Sequence, residues 1–159
     1  EYAALHAQAL ALRRAEHAQA AHRGVLGKDH HFHPLHVRRI EREKLLERTT
    51  DVNAPRLAKM LAKFKDHPLV GEVRSVGMLG AIELVANRRT RQRFADPGRV
   101  GLICRDHFFR EGFIMRAVFD TMVCAPPLIW TEEHFQEAER VIGRCLDLTL
   151  NDVAGEIAA

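Results

Sequence analysis

The sequence predicts an α+β domain: a small, mostly antiparallel sheet covered by helices. Two observations carry this expectation. Between positions 40 and 150 the apolar pattern runs as helix, two strands, helix, two strands, helix, switching between three- and four-residue steps and alternation. The chain has 159 residues, with 47% apolar and 28% charged residues. That is a soluble globular composition, and a chain of this length buries roughly two thirds of its unfolded surface.

Residues 1–37 stand apart as a helix and loop rich in Ala, His and Arg, and hold seven of the ten histidines. Positions 1–23 carry good helix formers but only a thin apolar stripe, Leu5, Leu10 and Leu12. Gly24, Gly27 and Pro34 then predict a loop over 24–37. We therefore divide the chain into residues 1–37 and a folded unit over 38–159.

From Ile40 the pattern strengthens. Leu45, Leu46, Val52, Leu57, Met60, Leu61 and Phe64 predict an amphipathic helix. Pro55 falls inside it and predicts a kink or restart, because an interior proline costs about 3 kcal/mol. His67-Pro68 ends the helix. Residues 69–76 and 78–85 read as strands reversing at Gly77. In the second, Met78, Ile82 and Leu84 share one face, and Leu79, Ala81, Glu83 and Val85 the other. Residues 86–96 are a polar, arginine-rich connection. Pro97-Gly98 opens a helix to about Arg110, and Glu111-Gly112 closes it. Strands follow over 113–118 and 121–125. Thr131 caps a last helix, with Glu132 and Glu133 where the helix dipole favours them.

Composition excludes several classes of function. No apolar run approaches the roughly 18 residues of a membrane span. There is no secretory signal, and the three cysteines, Cys104, Cys124 and Cys145, form no CxxC pair. We expect a cytoplasmic protein without disulfides. A net charge of +3 is too small to imply nucleic acid, and the run Arg88, Arg89, Arg91, Arg93 has no interleaved aromatics. His30, His31, His33 and His36 beside Asp29 fit no closed zinc motif, so no metal is expected, with divalent-ion binding by this His-rich tract as the weaker reading. The stretch from Gly77 to Gly80 lacks the residues of a phosphate loop. Buried cysteines behave as small hydrophobes rather than nucleophiles.

Arg116 is the candidate site residue. It lies in Phe113-Ile114-Met115-Arg116-Ala117-Val118 and shares a face with Ile114 and Val118 by alternation. A guanidinium on an apolar face calls for an anion, and its planar fork suits a carboxylate. An internal salt bridge, for instance to Asp120, or an edge-strand arginine snorkelling to water would produce the same pattern.

Several segments together resemble a known family. They are Ile40-Glu41-Arg42-Glu43-Lys44-Leu45-Leu46-Glu47-Arg48, then His67-Pro68-Leu69-Val70-Gly71-Glu72-Val73-Arg74-Ser75-Val76-Gly77-Met78. Gly98-Arg99-Val100-Gly101 and Cys104-Arg105-Asp106 follow, then Ile114-Met115-Arg116-Ala117-Val118, and then Asp120 to Ile129 with its Ala125-Pro126-Pro127-Leu128 core. In this order they resemble the C-terminal small domain of class III pyridoxal-phosphate aminotransferases, in the ω-amino-acid:pyruvate transaminase group. The resemblance implies the fold-type I small domain, and a fragment of an enzyme moving an amino group between an amine or ω-amino acid and a keto acid such as pyruvate.

By the same resemblance Arg116 binds the substrate carboxylate and swings aside for an amine without one. The complete enzyme uses pyridoxal 5'-phosphate and is expected to be a homodimer. The Schiff-base lysine belongs to a preceding large domain. The chain has 19 Arg but only five lysines, Lys28, Lys44, Lys59, Lys63 and Lys65, and none stands in the family's lysine motif. This chain alone is therefore expected neither to hold the cofactor nor to catalyse the reaction. The alternative is a noncatalytic binding or oligomerisation module derived from that domain. Residues 1–37 do not resemble the family, Phe119 replaces a glycine usual before the aspartate, and Pro55 is a further departure.

Overall fold

A computed structural model of the chain describes residues 32–157. It divides between Glu43 and Lys44 into two units. In the first, the described part is helix α1, Phe32–Arg42, which runs across residues 37 and 38. This corrects the loop expected over 24–37 where it reaches residue 32. Pro34 falls in the first turn, where no intrahelical N–H is required, so it starts a helix rather than breaking one. Residues 1–31, with Lys28, His30 and His31, lie outside the described residues.

The second unit begins at Lys44, whose backbone is left-handed with φ 48. A short helix α2, Leu45–Arg48, leads into a π-helical segment, Thr49–Asn53, and then into α3, Ala54–Ala62. The expected helix over 40–66 is thus cut at Lys44 and again ahead of Pro55. Pro55 stands in the first turn of α3, and its missing N–H is accommodated by the π segment, where Ala54 N–H reaches back to the Thr49 carbonyl.

The sheet holds β1 (Val70–Val76), β2 (Leu79–Leu84), β3 (Arg116–Val118) and β4 (Thr121–Cys124), ordered β1-β2-β4-β3 with every pair antiparallel. Gly77, at φ 54, turns β1 into β2. Between β2 and β3 lies α4, Arg99–Arg110, and the last helix is α5, Glu132–Asp152. Thr131 caps α5 in a capping box with His134, and Glu132 and Glu133 occupy its first turn.

One sheet face carries the core. Ile82 and Leu84 from β2 and Met122 and Cys124 from β4 pack with Leu57 and Leu61 of α3, Cys104 and Phe108 of α4, and Ile142, Cys145 and Leu146 of α5. The alternation read in β2 holds for Ile82 and Leu84, which point inward, and for Leu79, which is exposed; Val85, assigned to the Leu79 face, lies just past the strand and is buried. The third strand is shorter than expected, three residues instead of 113–118. Residues 113–115 lie outside it, with Met115 buried and Ile114 80% exposed.

Candidate functional site

The other face of the sheet is open, and cross-strand register sets out its side chains. Arg116 pairs with Val123, Val123 with Ala81, and Ala81 with Arg74, so these four residues form one row across all strands. The adjacent row is Val118, Thr121, Glu83 and Glu72. Val76 and Leu79, paired on the far side, are both exposed.

Charge on this face is uneven. Arg74 lies 3.2 Å from both Glu72 and Glu83. Arg91 is 3.3 Å from Glu72, and Arg93 is 3.9 Å from Glu83. The arginine run after β2 thus neutralises carboxylates of the sheet, and Arg88 meets Asp66 at 2.5 Å. At the opposite edge, Arg116 has no ion pair or hydrogen-bonded side-chain partner among the described residues. It is exposed on an edge strand, beside Ile114 and the 43% exposed Val118.

Of the readings open for Arg116, the structure shows the exposed arginine of an edge strand. Its face is not a buried apolar wall, because the face is open, so desolvation does not demand an anion within this chain. Nor does Asp120 pair with it. The Asp120 carboxylate is taken by α4: Gly98 N–H donates to Oδ2 at 2.8 Å and Gly101 N–H to Oδ1 at 2.9 Å. Gly98, at φ 91, supplies no side-chain cap of its own, so the helix is capped from the β3–β4 turn. The capping role of Asp120 is not legible in the sequence, because a cap arriving from 19 and 22 residues away has no local pattern. Beside this turn, Phe119, Ala117, Leu102 and Pro97 line a shallow cleft of about 350 Å³.

Among the described residues, the other chemically capable side chains gather no second site. All three cysteines are buried and free. Burial pushes the Cys104 and Cys124 thiols up to about 11 and, with Cys104 and Glu111 nearby, the Cys145 thiol to about 12. His107 of α4 is buried and meets Asp152 of α5 at 2.7 Å. No cluster of three metal-ligating side chains occurs among the described residues. His33 and His36 fall on α1. No helix of the described residues is long and apolar enough to cross a membrane.

The four-stranded antiparallel sheet with its one-sided helical cover is a transaminase domain fold. It superposes on an ω-transaminase from Pseudomonas jessenii, solved in complex with PMP, with a TM-score of 0.69 and 33% identity, covering 74% of this chain and 26% of that one. In sequence, the chain is 48% identical over 113 residues to putrescine–pyruvate aminotransferase of Pseudomonas aeruginosa, covering 71% of this chain and 25% of that protein. It is 41% identical over 96 residues to adenosylmethionine-8-amino-7-oxononanoate aminotransferase of Nitratidesulfovibrio vulgaris, covering 60% of this chain and 18% of that protein. No family model matches the chain. Over about 71% of its length the chain is thus homologous to aminotransferases, and it spans a quarter or less of the length of these two curated relatives.

Proposed function

We propose that this chain is the C-terminal small-domain part of a class III, pyridoxal-phosphate-dependent transaminase, and that Arg116 binds the carboxylate of its amino- or keto-acid substrate. The observation that carries this is the open sheet face. There Arg116 is exposed and without an acidic partner among the described residues, while the neighbouring arginines on that face are neutralised by Glu72 and Glu83. A forked guanidinium left free beside apolar side chains suits a bidentate carboxylate. The donors would be amines or ω-amino acids and the acceptor a keto acid such as pyruvate, in line with the putrescine and pyruvate for which the P. aeruginosa relative is named. We place the complete enzyme in the cytoplasm as a homodimer.

The described residues do not fit as holders of pyridoxal phosphate. A Schiff-base lysine needs an enclosed amine beside the ring. Lys44, Lys59, Lys63 and Lys65 are all exposed, and Lys63 is held 2.7 Å from Glu139. The cofactor's electron-sink chemistry therefore belongs to residues other than these, and no step through it is assigned to this chain. The same lysines favour the second reading for the chain alone, a noncatalytic binding or oligomerisation module.

Pyruvate titrated into the labelled chain tests the proposal by amide shifts. We expect shifts around β3 and β4 that vanish in Arg116→Ala while the fold persists. Binding unchanged by that substitution, or loss of the fold, would sink the carboxylate role.

A further inference from the structure

We infer that Asp120 is a positioning residue for Arg116: it clamps the β3–β4 hairpin onto the N-terminus of α4 and so fixes where the guanidinium is presented. This deepens the carboxylate-binding proposal and rests on it. Arg116 sits on a strand of three residues at the sheet edge, paired on one side only. Such a strand is weakly held by its own ladder. The anchoring is concentrated at its turn. The Asp120 carboxylate accepts from Gly98 and Gly101 of α4, and the Asp120 carbonyl accepts from Leu84 N–H of β2 at 2.8 Å.

Three bonds to two elements thus converge on one residue, four positions after Arg116. The contact is reciprocal. Gly98 at the N-cap of α4 has no side chain to accept the first N–H groups, and a Cβ at position 101 would collide with the Phe119 carbonyl oxygen, so helix and turn are shaped to each other. The two carboxylate bonds are charge-assisted, about twice as strong as neutral ones, and add to the favourable field at a helix N-terminus. Asparagine keeps the shape but turns one acceptor into a donor facing an N–H.

Hydrogen exchange and pyruvate titration on Asp120→Asn in the full chain test this. We expect exchange at Gly98, Gly101 and the β3 amides to rise about tenfold, with β1 and α5 unchanged. We also expect pyruvate affinity to fall about tenfold, equivalent to 1.4 kcal/mol. Exchange unchanged in β3, or raised equally throughout the chain, would overturn the inference. So would unchanged pyruvate affinity with a loosened β3. Asp120→Glu, which keeps the carboxylate, should recover part of both losses, and a role in stability alone would not return affinity. Should Arg116→Ala leave pyruvate binding intact, the substrate role falls, and exchange alone then decides whether Asp120 holds the strand.

Discussion

The carbonyl oxygen of Phe119 occupies the space where a Cβ of Gly101 would stand. The β3–β4 turn is therefore seated directly on the first turn of α4, backbone against backbone. Backbone cannot swing aside as a long side chain can. Gly101→Ala should lower stability by about 1–3 kcal/mol through overpacking, read as a reduced urea midpoint. A midpoint equal to that of the parent would mean that the turn is free to lift.

Phe119 itself is 74% exposed and has a left-handed backbone at φ 50. For a residue with a Cβ that conformation costs about 1–2 kcal/mol. Glycine removes the strain and gives back about 0.5–1 kcal/mol in unfolded-chain entropy. Phe119→Gly should therefore stabilise the domain by about 0.5–1 kcal/mol. A lowered thermal midpoint would show that the exposed ring contributes more than its surroundings indicate.

Thr49 and Asn53 lie within the π segment. Asn53 Nδ2 donates to the Leu128 carbonyl at 2.9 Å and to the Trp130 carbonyl at 3.3 Å, tying the segment after β4 to the helix. The Thr49 hydroxyl is buried and meets no partner among the described residues. Valine has the same shape without the unsatisfied oxygen, so Thr49→Val should raise stability by about 1 kcal/mol. Thermal unfolding gives the sign, and a loss would mean that the hydroxyl is hydrogen-bonded in solution.

The thiols give a pH dependence. From an ordinary value of 9.0, burial raises Cys104 and Cys124 to about 11 and Cys145 to about 12. Above pH 9 the unfolded chain has lost thiol protons that the folded chain retains, so unfolding releases protons. Stability contributed by the neutral thiols is full below about pH 9 and is lost as pH rises towards 11–12. Urea midpoints between pH 8 and 10 should fall more steeply in the parent than in a variant with all three cysteines changed to alanine. Equal slopes would show that the thiols are not responsible.

Much of this fold was legible because its signals are local. Alternation in β2 put Ile82 and Leu84 on one face, and that face proved to be the buried one. Thr131 followed by Glu132 and Glu133 marked the start of α5. Pro34 misled, because proline ends a helix from inside but begins one from its first turn, and the residue alone does not say which. The stretch ahead of Pro55 was legible as an interruption, though not as a π segment.

Arg116 divides the two kinds of information most sharply. The sequence by itself determined that an arginine stands among apolar residues in a strand, within a run of segments resembling aminotransferases. It could not determine whether that strand face is covered. Burial follows from which strands pair and on which side the helices lie, and these are contacts between residues far apart in the chain. Only the tertiary structure decided that β3 is an edge, that its Arg116 face is open, and that Asp120 turns away to α4. The physical reason is that strand period assigns a residue to a face, while packing between distant elements decides what that face meets.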